Sequence, residues 1–186
     1  MAGTSYRTGT YVAFDGNGEK DPVKSDFRCY GLIKAWNKSD KIDFRFTDSH
    51  EKTYKVKDGS LKRTLETRLK ERFSRSKNMV ILLSADTNWD RGALNWEIEQ
   101  AVDVYDLPII IVYIGYKYIL KPEACRKYWP KSLAKRIDND TAKCIHIPFK
   151  KEPLFTAVNQ FTVQNQELTL GVHYYNAETY EEWGLK

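Results

Sequence analysis

The sequence predicts an α/β domain: a five-stranded, mostly parallel sheet in a flavodoxin-like order, with helices on both faces. Two observations carry that prediction. The runs "NMVILLS" and "LPIIIVYIGY" are apolar without alternation, as expected of strands covered on both sides. Around them, segments with apolar residues three or four apart alternate with short strand-like runs, the pattern that builds parallel sheets through crossover helices.

Each element follows in turn. "TYVAFDG" alternates and ends in Asp-Gly, a strand followed by a turn. "SDFRCYGLIKAWNK" brings Phe27, Tyr30, Ile33, Lys34 and Trp36 to mostly helical spacing, with Ser25 placed as N-cap. "KIDFRFTDSH" is a second strand, with Ile42, Phe44 and Phe46 on one face and Arg45 on the other. "EKTYKVKDGS" reads as a polar loop with room for a short extra strand. "SLKRTLETRLKERFSRS" sets Leu61, Leu65, Leu69 and Phe73 four apart, the clearest amphipathic helix in the chain, with Ser60 as its cap. The third strand leads through "NWDRGALNWEIEQA", a turn and a helix, into the fourth. "KPEACRKYWPKSLAKRIDNDTA" is a long, partly helical connection, "KCIHIPF" a fifth short strand, and "EPLFTAVNQFTVQ" a fifth helix. "NQELTLGVHYYNAETYEEWGLK" is less regular. The division expected is an N-terminal extension (1–10), the domain itself (11–164) and a C-terminal extension packed on it (165–186).

With 186 residues, 41% hydrophobic and 30% charged, the chain is long enough to bury a core alone. Its longest apolar stretch falls far short of a bilayer span, and "MAGTSYRTGT" has no apolar signal region. The three cysteines, Cys29, Cys125 and Cys144, are odd in number and widely spaced, which suits a reducing cytoplasm. The net charge of +5 is mild, and the basic residues of "LKRTLETRLKERFSR" are interleaved with acids. That is the pattern of a solvated helix face rather than a nucleic-acid stripe. Neither a nucleic-acid nor a membrane partner is expected.

Parallel sheets of this kind bind ligands outside the carboxyl ends of their strands, where strand order reverses. In a flavodoxin-like order that point lies between the first and third strands. It gathers Phe14 and Asp15, Ser84 through Arg91, and the start of the "ALNWEIEQ" helix. At about 100° per residue, Leu94, Ile98, Ala101, Val102 and Tyr105 share one side of that helix. Glu97 then falls roughly 85° from the centre of the buried stripe and Glu99 roughly 115° away on the other flank. Side chains lean toward a helix N-terminus, which aims Glu97 at the crevice. Trp89 and Trp96 are placed to wall it and to raise its pKa by desolvation. Spacing alone does not separate a reagent from a half-exposed structural glutamate. There is no Walker P-loop, no GxGxxG and no GxSxG elbow, and His50, His146 and His173 lack the paired spacing of a zinc site.

The order of "TYVAFDG", "FRFTDSH", "LKERFSRSKNMVILLSADT" and "NWEIEQAVDVYDLPIIIVYI" resembles the bacterial TIR-like domains, particularly the ThsB proteins of Thoeris antiphage defence. The resemblance covers roughly Tyr11 to Pro148. It implies a TIR fold and, for many such domains, cleavage of the nicotinamide glycosidic bond of NAD to make a cyclic or otherwise modified ADP-ribose signal. NAD would be the substrate, with no cofactor or metal. The family's catalytic glutamate would be Glu97. Substrate-binding positions would be Phe14, Asp15, Asp48, Ser84, Trp89 and Trp96. Many relatives carry a tryptophan four residues before the glutamate; Ala93 stands there in this chain, so Trp96 or Trp89 is expected to supply the aromatic wall. Active relatives are expected to assemble head-to-tail through TIR–TIR contacts, with the loop at about His50–Gly59 completing a neighbour's site, and to reach a downstream receptor effector through their product. The alternative is a non-enzymatic signalling or adaptor module that uses the fold for TIR–TIR contacts. A phosphoacceptor receiver is disfavoured because the third strand ends in Ser84, where a receiver needs Asp; a nucleoside deoxyribosyltransferase relative is more distant still.

Overall fold

From Met79 to Leu83 and from Ile109 to Tyr113 no residue is more than 1% exposed, so both runs lie inside a sheet sealed on two faces. The structure is a computed structural model, described over residues 6–14, 26–39, 46–48, 60–85 and 92–186. Its strands are β1 (Gly9–Phe14), β2 (Phe46–Asp48), β3 (Ser76–Leu83), β4 (Ile109–Tyr113), β5 (Lys143–Pro148) and β6 (Gly171–Tyr174). They form one sheet in the order β2-β1-β3-β4-β5-β6, every neighbouring pair parallel. The five expected strands are present in flavodoxin-like order, and the tail adds β6 beside β5. Sequence inspection gave that last segment no strand, because Gly171–Tyr174 is only four residues long.

The helices are α1 (Asp26–Ser39), α2 (Ser60–Arg75), α3 (Gly92–Glu99), α4 (Lys131–Asp138), α5 (Lys151–Gln160) and α6 (Ala177–Glu182). Strand parity sorts them onto two faces. Tyr11, Ala13, Met79, Ile81, Leu83, Ile109 and Ile111 pack with Leu69 and Phe73 of α2, Leu94 and Ile98 of α3, and Leu133 of α4. Val12, Phe14, Val80, Leu82, Ile110 and Ile145 pack with Cys29, Tyr30 and Ile33 of α1 and with Leu154, Ala157 and Val158 of α5. The long connection after β4 is a 3-10 helix (Pro122–Tyr128) leading into α4, which matches its partly helical reading. The segment expected to hold a short extra strand lies outside the described residues, as does most of the second predicted strand.

Two buried polar centres fix the layers. Asn78 is fully buried; its Oδ1 accepts from the Thr10 hydroxyl at 2.7 Å, and its amide donates to the carbonyls of Val158 and Phe161 at 2.9 and 2.8 Å. The start of β3 is thereby tied to the end of α5. At the junction of α3 and α4, Asn95 Oδ1 accepts from the Ser132 backbone N–H at 2.8 Å and the Ser132 hydroxyl donates to the Asn95 carbonyl at 3.1 Å. Asn95 thus satisfies an amide at the start of α4 that no residue of α4 itself can reach.

Directly after α3 the chain widens into a π-helical turn, Gln100–Val104, closed by Tyr105 N–H donating to Gln100 O at 3.2 Å. Asp103 of that turn pairs with the buried Arg136 of α4, whose Nε donates to Asp103 Oδ1 at 2.9 Å. Asp106 takes a positive φ of 49° to end the element. A short polar side chain tolerates that conformation better than most.

Candidate active site

Of the two acids on α3, only Glu97 is drawn into the fold. Glu99 is exposed, while Glu97 is half-buried beside Leu94 and Ile98, which are 3% and 0% exposed. Helix α3 follows β3 and returns along the sheet over β1, so the Glu97 carboxylate meets a side chain of β1. The Tyr11 hydroxyl donates to Glu97 Oε1 at 2.6 Å. Burial raises the Glu97 carboxyl and the Tyr11 hydrogen bond offsets part of that rise, leaving it at about 7 against an ordinary 4.5.

Tyr11 is itself held rigidly. It is fully buried, and its ring stacks on Phe73 of α2 with centroids 4.1 Å apart and planes 23° apart. Phe73 stacks in turn on Tyr105 at 5.5 Å. The Tyr105 carbonyl accepts from Arg7 Nη1 at 2.8 Å, and Arg7's own carbonyl accepts from the Gln164 amide at 2.8 Å. A three-ring column from β1, α2 and the end of the π-helical turn therefore stands behind the carboxylate.

The other expected site residues fall in three groups. Trp96 is half-buried, 6.5 Å from Phe73 between ring centroids, so it borders the aromatic column. Ser84 is half-buried directly after β3, and Asp48 ends β2 in register with Val12 of β1, so both stand at the carboxyl edge of the sheet. Phe14 ends β1 but lies on the opposite face from Glu97, 4% exposed and packed on Tyr30 at 5.6 Å. Asp15 and Trp89 lie outside the described residues. Sequence reasoning missed Tyr11. The signal was available in parity: on a strand, Tyr11 shares a face with Ala13 and not with Val12 or Phe14. Once α3 is assigned to that face, Tyr11 is the polar-tipped residue of β1 it covers.

The fold and this carboxylate together define a flavodoxin-like α/β domain with, among the described residues, one desolvated acid hydrogen-bonded to its first strand. Residues 11–118 match the family described as Thoeris protein ThsB, TIR-like domain, and the chain belongs to that family. The match spans more than half of the 186 residues and includes both partners of the Tyr11–Glu97 hydrogen bond. It makes the chain a TIR-like module of the Thoeris defence system. Among the described residues no helix is long and apolar enough to cross a membrane.

Proposed function

We propose that the chain consumes NAD, cleaving the bond between nicotinamide and the ribose C1 atom, with Glu97 as the catalytic carboxylate. The observation that supports this reading most is the state of Glu97: one acid, desolvated, oriented by a buried hydroxyl and poised near neutral pH. Nicotinamide leaves as a neutral molecule from a ring that is already cationic, so no general acid is needed. The bond breaks with its electron pair going to the nicotinamide nitrogen, and positive charge grows on the sugar as in glycoside hydrolysis. An anion beside that sugar lowers the barrier electrostatically, and does so more strongly where water is excluded. The substrate's own positive charge favours the ionised form of Glu97, so binding itself draws the proton off.

Attack of water at C1 yields ADP-ribose and releases one proton. Attack by an adenine nitrogen yields a cyclic product with loss of the same proton. Either product serves as a signal to a downstream receptor effector. Asp15, Asp48, Ser84, Trp89 and Trp96 form the proposed substrate-contacting set. Phe14, buried on the far face, takes part through the backbone end of β1. Assembly through TIR–TIR contacts is proposed to complete the site, and a cytoplasmic setting is proposed with it, supported by the odd number and wide spacing of the three cysteines.

The test is incubation of the purified protein with NAD, before and after phage-infected extract is added, with chromatographic identification of the product. Glu97→Gln is expected to abolish turnover while preserving the fold. Unchanged NAD loss in that variant removes Glu97 from the mechanism. No turnover in the assembled, triggered wild type favours a module acting through TIR–TIR contacts alone.

A further inference from the structure

We propose that Tyr11 is a positioning residue for Glu97: its buried hydroxyl holds Oε1 so that Oε2 is presented to the sugar. The inference rests on the reading of Glu97 as the catalytic carboxylate. A glutamate has three side-chain torsions, and an unrestrained one spreads over many rotamers at a cost of up to about 2 kcal/mol to fix. Tyr11 fixes one end of it. The separation of 2.6 Å is in the charge-assisted range for a hydroxyl and a carboxylate. Oε2 makes no hydrogen bond to a described residue.

The hydroxyl can hold the carboxylate only if it is held itself, and the ring column does that. Phe73 stacks on Tyr11 from one side and is backed by Tyr105, while β1 anchors the Tyr11 backbone between β2 and β3. The column is fastened at its far end by Arg7 on the Tyr105 carbonyl. A tyrosine in a core needs its ring for packing; this one also aims its polar tip at the one acid on α3 that leaves solvent.

The same hydrogen bond acts on ionisation. Burial disfavours the Glu97 anion, and the Tyr11 hydroxyl favours it. Among the described residues, no charge from α2, the π-helical turn or α3 itself enters that balance, and Glu99 lies on the exposed side. Among the described residues, Tyr11 is therefore the one polar group that favours the Glu97 anion against burial.

The experiment compares wild type with Tyr11→Phe, which keeps the ring and the stack and deletes only the hydroxyl. The acid limb of the pH–rate profile for NAD loss is expected to move up by roughly one pH unit. From a wild-type value of about 7 in the free protein, kcat/KM at pH 7 then falls roughly five- to tenfold, narrowing to within about threefold at pH 9. At pH 9, where Glu97 is ionised before NAD binds, KM is expected to change little. An equal loss at every pH with an unmoved midpoint would mean a packing role only, and overturns the proposal. A second readout needs no turnover: the Glu97 carboxyl titration followed by carbon NMR in both proteins. An unshifted midpoint there also overturns it. If wild type leaves NAD intact, the proposed reaction fails while the titration still decides the role of Tyr11. Should Tyr11→Phe not fold, 3-fluorotyrosine in place of Tyr11 supplies a stronger donor and is expected to move the Glu97 midpoint down; no movement overturns the proposal.

Discussion

The Tyr113 hydroxyl of β4 lies 2.7 Å from Nδ1 of His146 on the neighbouring strand, and it also receives the Trp129 indole N–H at 2.6 Å. One oxygen therefore serves two buried groups, accepting from Trp129 and sharing a single proton with His146 Nδ1. Tyr113→Phe strands two buried polar groups at once. The expected loss is roughly 2–4 kcal/mol of unfolding free energy, measured by urea denaturation. A loss below about 0.5 kcal/mol would mean that neither group depends on the hydroxyl.

His146 and Glu97 pull stability in opposite directions with pH. Burial depresses His146 from 6.5 to about 3, so the unfolded chain gains a proton first and stability falls as pH drops through that window. Burial raises Glu97 from 4.5 to about 7, so the folded state keeps a proton the unfolded chain has lost, and stability falls as pH rises through that window. Glu97→Gln removes only the second effect. The variant is expected to gain on wild type between pH 4.5 and 7, by up to roughly 3 kcal/mol. Denaturant titrations at several pH values give the difference curve, and a flat one contradicts the desolvation of Glu97.

Asn95 caps a helix that is not its own. Asn95→Ala removes the acceptor for the Ser132 amide and is expected to cost about 1 kcal/mol. Because Ser132 also donates to the Asn95 carbonyl, the Asn95→Ala, Ser132→Ala pair is expected to be less than additive. Strict additivity in a double-mutant cycle would show that the two bonds act independently.

β6 covers the outer edge of β5 from Lys143 to His146. Ending the chain at Gln164 would leave that row of backbone groups unpaired beside an apolar strand. Concentration-dependent association, followed by light scattering, is expected. A monomeric truncated chain with an unchanged melting temperature would mark the tail as dispensable.

The layers were legible in the sequence where one period dominated. Leu69 and Phe73 are buried as their four-residue spacing requires, and Glu97 and Glu99 part company at the border of the α3 stripe as the helical wheel places them. What was not legible depended on long-range placement. Phe14 was grouped with the start of α3 because the first and third strands meet at the switch point, yet the pleat turns its side chain to the other face. The π-helical turn left no mark, since its extra residue per turn is set by packing and not by composition. Tyr11 looked like any buried aromatic of a β-strand until a helix laid an acid across it.

The positions of α1 and α5 have a consequence for handedness. Both lie on the same face, but the chain steps from β1 out to β2 in one direction and from β5 out to β6 in the other. Excursions over one face in opposite directions are mirror-related. With the customary right hand at β1–α1–β2, the passage through α5 is left-handed, a rarity among parallel connections. The outermost strand is thus no continuation of the winding that built the rest. The polypeptide must double back from its anchorage on Asn78 before it can be laid along β5.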